Sequence, residues 1–256
     1  MAKIGSNYVF NNANDLGYES GNTATIKGVA LKTILLLAIT IITGLLSMST
    51  INVDEIIATR TLKLGYFITP VITLVLSLIM SFKPNSAKIL AIPYAIFEGF
   101  GIGSIGILLI ASLGKAEAGL ILGLALLITV SIFMGASVLY TSGKIQITTR
   151  FRRIMYVILL GIVLSSSIIG IISIFNPNIY PLFFGNSSLA LLISIIMIIV
   201  ASIYSVISLD SAHNIVKAGL DKNYEWYASF GIILNIVWLF YEVIRLLLYI
   251  LSRSRD

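Results

Sequence analysis

Seven long runs of apolar residues, almost free of charge, restrict this chain more than any other feature. They lie near Ala30–Met48, Leu64–Phe82, Ile89–Leu113, Ala118–Tyr140, Ile154–Phe175, Leu189–Leu209 and Phe230–Leu251. A hydrocarbon core of about 30 Å needs roughly 20 consecutive apolar residues in helical form. Within it only helices and closed barrels satisfy their backbone polar groups. The runs therefore predict an all-α integral membrane protein, a bundle of seven transmembrane helices. Only 11% of the 256 residues are charged against about 25% in soluble domains, and mean hydropathy is +1.02. The division expected is a polar amino-terminal segment over 1–29, a transmembrane domain over 30–251 and a short polar tail over 252–256. The first residues lack the basic stretch and early apolar core of a secretory signal, so the first run is expected to remain as a membrane helix.

Lys and Arg set the orientation, because they gather in cytoplasmic loops. The loops on the amino-terminal side carry 11 of the 17 basic residues and the opposite side carries 6. This predicts a cytoplasmic amino terminus and, with seven crossings, an external carboxyl terminus, although Arg253 and Arg255 lie beyond the last span. Lys144, Arg150, Arg152 and Arg153 form a basic loop with no acid among them, suited to an anionic lipid surface. A short loop between two spans makes nucleic acid a poor partner for the same charges. Lys32 lies inside the first span, where its ammonium is expected to snorkel to the interface. Pro70 is expected to kink the second span and Pro93 to sit in the first turn of the third, where proline is tolerated.

Several motifs lose their chemical reading in this setting. Gly101, Gly103 and Gly106 spell a dinucleotide fingerprint, but such a site needs a strand before it and a helix opening after it. Packing explains them better. Gly99, Gly103 and Gly106 share one helical face, where a neighbouring helix can approach closely. Asn186-Ser187-Ser188 matches a glycosylation sequon too short to carry weight. There is no cysteine and one histidine, His213, so thiolate chemistry and histidine-built metal sites lack material. Membrane serine or aspartyl protease templates and the zinc-peptidase motif are not met, and an enzyme is not expected. No cofactor is expected either.

What remains is a set of ionisable residues at or within spans: Glu98, Asp210, Glu242 and Arg245. A charge at mid-membrane costs about 2.5–3.5 kcal/mol on insertion scales and needs a partner or water. The structural reading of Glu242 is an ion pair with Arg245, three residues on and on the same face. For Glu98 it is a protonated carboxyl donating one hydrogen bond. The functional reading is an ion path whose carboxylates attract cations when ionised and release them when protonated, so that pH gates passage. His213, three residues after Asp210, would add titration nearer neutral pH if the helix continues.

Several stretches, in order, resemble the bacterial Bax-inhibitor/YccA-like family of seven-helix membrane proteins. They are Ser6–Phe10, Thr25–Val29, Tyr94–Gly99, Tyr140–Gly143, Thr149–Arg153, Ala218-Gly219, Glu225–Ala228 and Trp238–Leu247. The resemblance implies a pH-sensitive cation leak, calcium being the expected permeant ion, in a bacterial cytoplasmic membrane. It also implies a pH-sensing pair of acids on the sixth and seventh helices, which falls on Asp210 and Glu242. The alternative it implies is a non-transporting regulator that binds a membrane protease or another stress-response partner, with Met1–Thr25 as a docking tail. Helical rise raises a geometric question about the pair. With the last span starting at Phe230, Glu242 lies about 18 Å deep, out of reach of an Asp210 at the mouth. A deeper sixth helix or a later last span would bring the two together.

Overall fold

A computed structural model describes residues 22–50, 60–143, 147–185 and 187–254. Each apolar run falls inside a long helix. These are α1 (Ile26–Thr50), α2 (Arg60–Phe82), α3 (Ala87–Leu113), α4 (Lys115–Thr141), α5 (Thr149–Phe175), α7 (Ser188–Lys217) and α8 (Tyr224–Ser254), with a short α6 (Ile179–Phe184) between α5 and α7. Six of the helices are long and apolar enough to cross a membrane, and Ile68–Phe82 of α2 is apolar over a shorter stretch. Large apolar side chains such as Leu45, Leu127, Val157 and Phe175 face outward all round the bundle. In water such a surface would be an association site; here it fits lipid.

Local signals set the helix ends. Thr148 and Ser187 cap α5 and α7 by accepting from Phe151 N at 3.2 Å and Ala190 N at 3.0 Å, which satisfies backbone donors that have no partner within the helix. Gly219, at φ 65°, takes the left-handed turn after α7 that a Cβ would oppose. Pro93 lies deeper than expected, because α3 opens at Ala87 and holds the proline in its second turn. A single missing N–H is tolerated there because packed neighbours support the helix.

The last helix is the centre of the molecule. Its residues join core clusters with α1 and α7 (Ala228 and Ile232 against Val29 and Ala212), with α1, α2 and α3 (Ile233 and Val237 against Leu36, Met80 and Tyr94), and with α4 and α7 (Leu239 and Val243 against Ala125 and Ala201). Half of its membrane-length stretch is buried, against 6% for α5 at the periphery.

Helices α1 and α3 run parallel and in close contact. Thr40 Oγ1 donates to the Ala95 carbonyl at 3.2 Å. Further along, a Cβ on Gly103 would stand 2.6 Å from Ser47 Cβ and one on Gly106 2.7 Å from Met48 Sδ. Gly99, Gly103 and Gly106 therefore form the face on which α1 lies. Gly101 points the other way, toward the Tyr241 hydroxyl.

Candidate functional site

Asp210 lies in α7, which continues past Leu209, the end expected from the sequence, to Lys217. The mostly polar stretch 210–214 stays helical because other helices supply partners for Asp210 and a ring for His213 to pack on. Arg152 of α5 forms an ion pair with the Asp210 carboxylate, Tyr140 of α4 donates to it at 3.3 Å, and Asn214 one turn on donates at 3.0 Å. His213 stands edge-on to the Tyr140 ring with centroids 6.2 Å apart, so it belongs to this cluster through Tyr140. Arg152 corrects the expectation of a lipid-facing basic loop. Its side chain is 14% exposed and turned inward, because a carboxylate inside the bundle offers more than a headgroup at the rim. Arg150 and Arg153 remain exposed in the opening turns of α5; Lys144 lies outside the described residues.

Glu242 is buried within α8. It accepts from Arg245 at 2.9 Å and from the Trp238 indole N–H at 3.2 Å, so the intrahelical ion pair expected from the spacing is present. Glu98 of α3 is buried as well. It accepts from the Tyr241 hydroxyl at 3.2 Å, and the hydroxyls of Tyr94 and Thr73 also reach it. Tyr241 and Glu242 being neighbours, Glu98 and Glu242 lie near one level of the central helix.

Asp210 and Glu242 are not brought together. The register between α7 and α8 is fixed where Asn235 Nδ2 donates to Ser205 Oγ at 2.7 Å. From that level Asp210 lies five residues one way and Glu242 seven residues the other, an axial separation of about 18 Å. The longer α7 does not close the gap, because antiparallel helices carry the two acids apart. Among the described residues no three of His, Asp and Glu converge on a point where a metal could sit.

Sequence reasoning missed one buried acid. Glu225 in the first turn of α8 is 1% exposed and pairs with Lys32 of α1, and it also accepts from the Thr25 backbone N–H at 2.9 Å and hydroxyl at 3.0 Å. Lys32 therefore turns inward instead of snorkelling, and stands 5.3 Å from the centre of the Trp226 ring. The signal was Lys32 itself, since an ammonium within a span calls for an acid on another helix. The backbone adds a short clamp at the same end: Ala24 N donates to Leu220 O at 2.8 Å and Lys222 N to Asn22 O at 2.9 Å.

The family model described as Bax inhibitor 1 like matches residues 7–252. The chain belongs to that family. No curated protein and no solved structure matches it significantly. The matched residues include all four acids described, Glu98, Asp210, Glu225 and Glu242.

Proposed function

We propose that the protein is a pH-sensitive cation leak of a bacterial cytoplasmic membrane, with calcium among its permeant ions, gated by protonation of carboxylates within the bundle. The observation that carries this reading is the Asp210 cluster. A carboxylate inside the bundle is one of the ties between α7 and α5, beside the Tyr204 hydroxyl bonded to the Met155 carbonyl, and α5 is the least buried of the six long apolar spans. Ionised Asp210 holds Arg152 and helps to keep α5 against α7; a proton on Asp210 cancels that charge and leaves the apolar contact of Met155 with Tyr204 and Ile207. Glu242 and Glu98 lie about 18 Å or less along the axis from this tie. Their place in this reading is the lining of a path beside the central helix.

The reading includes seven crossings with the amino terminus in the cytoplasm. Residues 22–24 lie beside 220–222, so α1 starts at the end of the bundle where α8 starts. Because α1 and α3 run parallel, the chain must return between them, and α2 is the segment that returns. The excess of Lys and Arg at this end supports its cytoplasmic placement.

Purified protein in liposomes loaded with a calcium dye tests the gate. Flux is expected to rise as pH falls in the wild type, and to be high and flat with pH in Asp210→Asn and Arg152→Gln. Flux that keeps its wild-type pH profile in Asp210→Asn and Glu242→Gln removes both from the gate. A chain that passes no ion at any pH is instead a regulator that acts through a protein partner.

A further inference from the structure

A slot with a volume of about 200 Å³ runs lengthwise between α2, α5, α7 and α8. Its walls extend from Tyr227 to Trp238 on α8 and from Ile215 to Tyr204 on α7. These two helices are antiparallel. Ile215 and Ala228 share a core cluster at the near end, where α8 begins, and the Tyr204 and Trp238 rings stand 5.9 Å apart at the far end. The helical stretch between gives the slot a length of about 16 Å, and one leaflet of hydrocarbon is about 15 Å deep. Ser81 on the α2 side and Tyr156 on the α5 side are exposed, so the slot opens to the lipid-facing surface of the bundle.

Inside, a polar guest finds little. No charged side chain among the described residues lines the slot. Ser81, Ser208 and Ser211 each give their hydroxyl proton to a carbonyl of their own helix, at 2.7, 2.9 and 2.8 Å. Tyr204 gives its proton to the Met155 carbonyl, and Asn235 turns its amide nitrogen to Ser205 and the Ala201 carbonyl of α7. Gly231 lies part-way along the α8 wall, and a Cβ there would meet nothing within 4 Å. Glycine weakens a helix interior, so this bare position in the most buried of the long spans leaves room for an occupant.

Charge at the near end selects the head of that occupant. Arg153 lies one turn toward that end from Tyr156, and Lys83 lies two residues beyond Ser81. Both are exposed, and neither forms an ion pair among the described residues; the same holds for Arg150 and Lys217. Of the acids described at this end, Asp210 and Glu225 already hold Arg152 and Lys32, which leaves Asp221, exposed on the connection from α7 to α8. A surplus of positive charge above an apolar slot of one leaflet's depth matches an amphiphile with a negative head and a hydrocarbon tail.

We propose that the slot holds one acyl chain of an anionic phospholipid, with the phosphate bound by Arg153 and Lys83 at the mouth. The site needs only the membrane setting of the bundle and stands whether or not the protein conducts. Trp238 lies at the deep end, and because the chain has two tryptophans it reports alone in the Trp226→Phe protein. That full-length protein is reconstituted in phosphatidylcholine vesicles in which a minor share of the lipid has brominated acyl chains, either as phosphatidylglycerol or as phosphatidylcholine. Bromine quenches an indole that it touches, so the brominated phosphatidylglycerol is expected to quench Trp238 more strongly. Lys83→Gln and Arg153→Gln should each cut this preference by about fivefold in apparent affinity. Lys27→Gln, on a helix that does not line the slot, should leave it unchanged. Gly231→Leu puts a side chain into the slot and should lower quenching by the anionic lipid to that by the neutral one. Gly231→Ala should lower it part of the way, and serves if the larger side chain prevents folding. Equal quenching by the two lipids, or a preference that survives the loss of both charges or the filling of the slot, overturns the proposal.

Discussion

Three of the carboxylates withdrawn from water find a counter-charge within the protein, each in its own way, while Glu98 is met by hydroxyls alone. Glu225 has an ammonium from another helix together with a backbone N–H and a hydroxyl; Asp210 has a guanidinium from another helix; Glu242 has one from its own. Removing one member of a buried pair leaves the other uncompensated, which costs about 3–5 kcal/mol when both are fully buried. Lys32 is 16% exposed, so Glu225→Ala is expected at the lower end, about 3 kcal/mol, read as a lowered midpoint of thermal unfolding in detergent. Glu225→Gln should fall between that and the wild type, since its amide still accepts from Thr25. The separation of Asp210 from Glu242 makes a second prediction. Sites that share no partner and lie more than about 10 Å apart act additively, within about 0.5 kcal/mol. The double variant Asp210→Asn with Glu242→Gln should therefore show the sum of the single effects on stability. A coupling of about 1 kcal/mol or more would mean that the two acids meet in a conformation other than this one. At this scale the i,i+3 pair Glu242–Arg245 was legible, because one helix fixes its spacing. Arg152–Asp210 and Lys32–Glu225 were not, because they join residues 58 and 193 positions apart and only the packing of the helices sets them side by side.

Glycines decide how closely elements approach, and the structure separates those that matter from those that do not. A side chain on Gly103 would meet Ser47 Cβ at 2.6 Å and the Gly44 carbonyl at 2.7 Å, and the backbone cannot yield. On Gly106 the obstacle is the thioether of Met48, which can adopt another rotamer. Gly103→Ala is therefore expected to destabilise by about 1–3 kcal/mol and Gly106→Ala by clearly less. Gly161→Ala in α5, where nothing lies within 4 Å, should be neutral or slightly stabilising through helix propensity. Thermal unfolding of the three variants side by side checks the order, and equal effects at Gly103 and Gly161 would deny that α1 rests on this face. The element pattern was visible in the sequence, since the seven apolar runs and the glycine face need only local periodicity. Helix ends were less visible. Asp210, His213 and Asn214 look like an exit from the membrane in composition, yet Arg152 and Tyr140 extend the environment in which α7 can stay helical.

At the scale of the whole molecule, the most buried and the least buried spans reverse the hydropathy order of a soluble protein. The span of α8 has a mean hydropathy of 1.9 and is 50% buried, whereas that of α5 has 2.5 and is 6% buried. A helix facing lipid on most sides cannot afford polar residues, and one enclosed by protein can carry Glu225, Asn235 and Glu242. The central place of α8 was therefore partly written in its composition, although which helices enclose it was not. In the proposed seven-crossing topology successive connections lie at alternate ends, and residues 22–24 and 220–222 stand together at one of them. Because the chain has no cysteine, single introduced thiols report sidedness without background. Asn223 lies in the connection from α7 to α8, Lys115 opens α4, and Asn178 lies between α5 and α6; all three are exposed. In intact cells a membrane-impermeant maleimide is expected to label Lys115→Cys and Asn178→Cys, and to reach Asn223→Cys only after permeabilisation. The reverse pattern would invert the bundle and place the Asp210–Arg152 tie near the external face, where it would answer to the pH outside. Labelling of Asn223→Cys and Lys115→Cys from the same side would break the alternation itself, since α4 to α7 would then cross an even number of times between them.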